Sequence, residues 1–132
     1  MSHQPIIDQL TRLGIRPSAQ RVAIAAYVLA TEEHPSADLV WTRVKATLPV
    51  VSRATVYNTL KLFVEKGLLQ ELVLAPGHSV YDPKVEPHHH FLDDISGAIH
   101  DVPFEAVQVS RVQELPGFEV RDYSVVLRGR RA

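Results

Sequence analysis

A chain of 132 residues, 45% hydrophobic and 22% charged, has ordinary globular composition and room for one domain or two small ones. The formal charge of −1 is unevenly spread: residues 1–72 carry 8 Lys/Arg against 6 Asp/Glu, and residues 73–132 carry 6 against 9. The absence of cysteine excludes a disulfide framework, a thiolate nucleophile and a cysteine-held structural zinc. No apolar run approaches the roughly 20 residues of a membrane helix. The start, MSHQPIIDQL, lacks the basic and then apolar pattern of a secretory signal, so a soluble cytoplasmic protein is expected.

Ile6, Ile7, Leu10 and Leu13 recur at helical spacing, and Gly14 ends that helix. Pro17 and Ser18 start a second, whose apolar face is Val22, Ile24, Ala25, Val28 and Leu29. Ser36 caps a third, lined by Leu39, Val40 and Val44 and ended by Pro49. Ser52 caps a fourth, with Val56, Leu60 and Phe63 or Val64 as the buried stripe and Gly67 as the stop. LLQELVLAPGHSVYD then reads as two short strands around APGH. Helices followed by a hairpin outline a winged helix-turn-helix, in which the last helix enters the major groove. On that helix Arg53, Thr55, Tyr57, Asn58 and Lys61 fall largely outside the buried stripe. Arg53 and Asn58 offer bidentate hydrogen bonds to bases and Tyr57 a flat contact with a thymine methyl. Arg16, Arg21 and Lys61 are candidates for phosphates. The plainer reading of the same residues, Ser52 included, is a solvated helix face.

After Pro87 the composition changes. HHHFLDD, GAIHDVPF and FEVRDYSVVLRGR read as strands, the last through Val120, Tyr123, Val125 and Leu127, with DDISG as a turn. EAVQVSRVQELPG fits neither period and is held as a short connection or helix. The expected architecture is α+β, with a DNA-binding domain over residues 1–83 and a small α/β domain over 84–132. A sheet that small, with an incomplete core, would be stabilised by a second copy.

Strand alternation puts His88 and His90 on one face and His89 on the other. With carboxylates from Asp82 and Asp101, the two imidazoles suit Fe(II), Mn(II) or Zn(II). His34, before a proline, is in isolation more often a helix-start histidine than a ligand; swung in from the first half, it would couple the two halves to metal occupancy. His78 is expected in solvent, and His100 faces away from Asp101. A small metallohydrolase is the reading from a different class, because two His and two Asp can activate water. It lacks a convincing general base. Metal storage would need no Tyr/Asn/Arg helix face.

In order along the chain, GIRPSAQR, EHPSAD, VSRATVYNTLKLFVEKGLL, VYD, PHHH and GAIHDV resemble the ferric uptake regulator family, from about Leu10 to about Arg128. The resemblance implies a homodimeric, metal-responsive regulator, most often a repressor, with Ser52–Gly67 as the recognition helix and a palindromic, A/T-rich operator. It places the regulatory metal on His34, Asp82, His88, His90 and Asp101. Aspartate at position 82 is similar to the peroxide-sensing branch, in which an Fe(II) ligand histidine is oxidised; His34 and His88 match those histidines. The family's paired CxxC motifs are missing, the segment between Phe104 and Phe118 is short, and Tyr123 stands where a further ligand histidine often sits. Cysteine-free members with HHH also resemble haem-responsive iron regulators, which would implicate His88, His89 and His90 in haem binding.

Overall fold

The computed structural model describes residues 3–132, which divide into two compact units, one ending at Val85 and one running from Glu86 to Ala132. The first is built of α1 (Gln4–Arg12), α2 (Ala19–Val28), α3 (Ala37–Lys45), α4 (Arg53–Glu65) and a hairpin of β1 (Gln70–Ala75) and β2 (His78–Asp82). Three serines start helices as the sequence predicts. The Ser18, Ser36 and Ser52 side chains accept from the N–H groups of Arg21, Leu39 and Thr55 at 3.2, 3.2 and 3.1 Å, satisfying donors that a helix start leaves open.

Gly14 and Gly67 end α1 and α4 in left-handed conformations, φ +74° and +81°. In each, two N–H groups fold back on the last turn: Gly14 to Thr11 and Ile15 to Leu10 after α1, Gly67 to Val64 and Leu68 to Phe63 after α4. This paired closure needs positive φ at one residue and turns the next apolar residue inward. Ile15 and Leu68 accordingly join Leu10, Ile24, Val40, Val56, Leu60 and Phe63 in the core of the first unit. The third helix stops at Lys45, short of Pro49, which lies in the following turn. The hairpin pairs antiparallel from Gln70↔Asp82 to Ala75↔His78, with an irregularity between Val73 and Ala75.

The second unit is a three-stranded sheet of order β4-β3-β5, with β3 at His88–Asp93, β4 at Ile99–Pro103 and β5 at Val126–Gly129. β3 pairs antiparallel with β4, placing His90 opposite Asp101, and parallel with β5. The last strand is shorter than the sequence pattern suggests: Val120, Tyr123 and Val125 precede it. The ambiguous segment forms two single 3-10 turns, Phe104–Ala106 and Val112–Glu114. The β3–β4 turn is closed by side chains. Asp93 Oδ1 accepts from the N–H groups of Ile95 and Ser96 at 2.9 and 3.2 Å, and Ser96 Oγ from Ala98 N–H at 3.1 Å. Ile95, Leu115 and Phe118 of this unit are exposed, so its apolar surface is incompletely buried.

Candidate metal centre

In the first unit the site begins with a backbone contact. Tyr81 on β2 donates its N–H to the Pro35 carbonyl at 2.9 Å, tying the strand to the loop that opens α3. His34 takes a left-handed conformation, φ 51°, uncommon for a residue with a side chain. Together these bring His34 Nε2 to 3.3 Å from Asp82 Oδ2. Asp82 is 2% exposed, and its other oxygen accepts from the Lys84 N–H at 2.9 Å. A carboxylate so enclosed is retained where it has cationic or hydrogen-bonding company.

In the second unit the alternation of β3 holds. His88 and His90 share a face, with ring centroids 4.5 Å apart. Asp101 lies across the sheet from them, its Oδ1 3.5 Å from His88 Nε2 and 3.9 Å from His90 Nε2. His88 Nδ1 stands 2.7 Å from the Glu86 carbonyl oxygen. A carbonyl only accepts, so Nδ1 carries a hydrogen, and Nε2 is the ring nitrogen that faces Asp101. A backbone carbonyl behind one ring nitrogen, with the other aimed at a carboxylate, is the arrangement that orients histidine as a metal ligand. Donor atoms bound about 2.1 Å from one ion stand about 3.0–3.5 Å apart, and the separations within the two units are close to that range. The nitrogen and oxygen donors fit a borderline or hard divalent ion.

His89 has the opposite surroundings. It is wholly buried, its Nδ1 accepts from the Val125 N–H at 2.9 Å, and its ring stacks on Phe104 with centroids 4.9 Å apart. Tyr123 completes the aromatic group at 6.2 Å. His89 is 0% exposed, so a porphyrin could reach this imidazole only if the packing around it opened. His78 is exposed at the first position of β2, and His100 faces Phe91, with centroids 6.4 Å apart.

The candidate DNA-binding residues gather around α4. Arg16, Gln20, Arg21, Thr55 and Asn58 line an open cavity of about 440 Å³ between α2 and α4. Arg21 Nη1 donates to the Arg16 carbonyl at 3.0 Å. Asn58 and Lys61 are exposed. Ser52 Oγ caps α4 and also donates to Thr55 Oγ1 at 2.8 Å. Arg53 and Tyr57 are joined to Asp38, a residue that periodicity does not single out because the contact spans α3 and α4.

A winged-helix unit followed by a small sheet bearing histidine and carboxylate side chains is the build of metal-responsive transcriptional regulators. The ferric uptake regulator family model matches residues 12–128, and the chain belongs to that family. It is 32% identical over 119 residues to the peroxide-responsive repressor PerR of Staphylococcus epidermidis, covering 90% of this chain and 77% of that protein. Among solved structures it is similar to a zinc-bound manganese uptake regulator, with TM-score 0.73, 29% identity and coverage of 96% and 98% of the two chains. It is also similar to the ferric uptake regulator of Francisella tularensis with iron, with TM-score 0.74, 27% identity and coverage of 89% and 92%. Members of the family are transcriptional regulators rather than enzymes, which sets the hydrolase reading aside, and they bind DNA as dimers. Among the described residues no helix is long and apolar enough to cross a membrane.

Proposed function

We propose that this protein is a homodimeric, metal-dependent repressor that responds to peroxide, with Fe(II) or Mn(II) held by His34, Asp82, His88, His90 and Asp101. The observation that carries the reading is the orientation of His88: the Glu86 carbonyl fixes its Nδ1 hydrogen, and Nε2 faces Asp101 on the face shared with His90. The proposed ligands come from both units. The first offers His34 and Asp82 and the second His88, His90 and Asp101, so one ion taking both groups would fix the units in one mutual arrangement. A ligand shifts a conformational equilibrium only through unequal affinity for its states, and a ligand set split in this way supplies that inequality. When bound, the ion supplies charge for this coupling and, as Fe(II), reactivity toward peroxide. The imidazoles of His34 and His88 match the histidines that would be oxidised in the peroxide-sensing branch. Asp82, the aspartate that resembles the peroxide-sensing branch, and the similarity to a peroxide-responsive repressor support the choice of signal.

The operator is proposed to be a palindromic, A/T-rich duplex, with α4 in the major groove, the β1–β2 hairpin beside the backbone, and Arg16, Arg21 and Lys61 at phosphates. Exposed Ile95, Leu115 and Phe118 support a homodimer formed through the second unit. Zn(II) is expected to occupy the same ligands in vitro.

The test is anaerobic loading with Fe(II), exposure to peroxide and peptide mass spectrometry, beside the same protein loaded with Mn(II). One added oxygen on His34 or His88 in the Fe(II) sample alone, with loss of operator binding, is expected. Oxidation scattered over surface residues, with DNA binding intact, would refute peroxide sensing.

A further inference from the structure

One side-chain cluster on the first unit belongs to neither the metal ligands nor the core. Asp38 lies in the first turn of α3, and Arg53 is the first residue of α4. Arg53 donates Nε to Asp38 Oδ1 at 2.8 Å and Nη2 to Oδ2 at 3.3 Å. Its Nη2 also donates to the Tyr57 hydroxyl at 3.2 Å, and that hydroxyl donates to Asp38 Oδ1 at 3.1 Å. The guanidinium carbon lies 5.0 Å from the centre of the Tyr57 ring. The three side chains therefore close a ring of hydrogen bonds on the face of α4 that is not buried. Arg53 and Asp38 are 57% and 59% exposed, so the pair adds little to folding. What it does is fix a long, flexible side chain in one orientation. Hydrogen bonds from Arg53 hold the Asp38 carboxyl below its ordinary range, so it stays ionised.

Resting on the DNA-binding reading above, we propose that Asp38 is a positioning residue for base recognition, fixing Arg53 and Tyr57 so that Arg53 reads a guanine edge in the major groove. Asp38 takes the Nε–Nη2 side of the guanidinium. Nη1 makes no hydrogen bond among the described residues, and only the Tyr57 hydroxyl need yield to open the Nη1–Nη2 edge. That edge matches the O6 and N7 acceptors of guanine. A phosphate role suits this arginine poorly: its charge is compensated, and the carboxylate beside it repels the backbone. The arrangement gives up attraction to any duplex in exchange for orientation toward one base.

The two effects have opposite signs, which makes the proposal testable. The full chain, loaded with Mn(II), is used to select duplexes from a random-sequence library, in parallel with Asp38→Ala, Asp38→Glu and Arg53→Lys. Fluorescence of Trp41, the single tryptophan, checks folding of each variant. The parent is expected to enrich a guanine at one position of each half-site. Asp38→Ala and Arg53→Lys lose that preference, and Asp38→Glu, which restores a carboxylate within reach, keeps it. Asp38→Ala should bind the selected duplex about tenfold more weakly and an unrelated duplex more tightly. An Asp38→Ala variant that keeps the parent's preference at every position, and tightens on both duplexes by one factor, shows a simple surface ion pair and overturns the proposal. A parent that enriches no sequence at all overturns the DNA-binding reading and this proposal with it.

Discussion

Replacing Asp82 with asparagine separates the metal role of this residue from its structural one. The residue is 2% exposed and its side chain close to isosteric with asparagine, whose carbonyl oxygen can still accept from the Lys84 N–H. Asparagine still loses the charge that faces His34 Nε2 at 3.3 Å, so in metal-free protein the change should cost about 1–3 kcal/mol, a loss common to the scans with and without metal. The anionic ligand is lost. Replacing partners one shell out from a metal already weakens binding about 10–100-fold, so removing a charged ligand should reach at least about 100-fold, or about 2.7 kcal/mol. At Mn(II) equal to ~100 times the parent's Kd, binding stabilises the parent by about 2.7 kcal/mol and the variant by ~0.4 kcal/mol. For a chain of this size 1 kcal/mol moves Tm by roughly 3–5 °C. The parent should then gain about 8–13 °C and Asp82→Asn about 1–2 °C, read by thermal scanning with and without Mn(II). Equal gains in the two proteins would show that Asp82 is not a ligand.

Three further outcomes follow from the packing. Phe63 is fully buried in the first unit, so Phe63→Ala should destabilise by about 3–5 kcal/mol in denaturant titration; a loss below about 1 kcal/mol would mean the α4 stripe is not core. Gly67 has φ +81° and open space where a Cβ would stand, so Gly67→Ala should lose about 1–2 kcal/mol from backbone conformation alone, and Gly67→Asn less. The Asp93 carboxyl is held below its ordinary range, first by the Ile95 N–H and then by that of Ser96. Its contribution to stability is full above the unfolded-state value of about 4 and is lost as pH falls through the lower folded-state value. Tm of the parent should thus exceed that of Asp93→Ala by a constant amount near neutrality and converge with it in acid. A gap that did not change with pH would place the effect in packing rather than charge.

Helix starts and stops were legible because their causes are local. Ser18, Ser36 and Ser52 cap within three residues, and Gly14 and Gly67 close turns that only their neighbours define. The separation of His89 from His88 and His90 was legible for the same reason, since alternation is a property of any strand. Contacts that depend on a distant segment were not. The Val125 N–H reaches His89 across 36 positions, and Tyr123 packs against an imidazole instead of extending β5. Asp38 gave no signal, because its partner Arg53 arrives only when α3 and α4 pack. The left-handed turn at His34 and the Tyr81–Pro35 hydrogen bond from β2 are likewise seen only in the folded unit.

The central claim is that metal held by these five residues controls operator binding. Anaerobic fluorescence anisotropy of a selected operator duplex, titrated with the protein in chelator and in saturating Mn(II) or Fe(II), tests it most directly. A coupling of about 5–150-fold in Kd is predicted for the parent, collapsing toward one for His88→Ala. The same Kd with and without metal in the parent, or an undiminished metal response in His88→Ala, would contradict it.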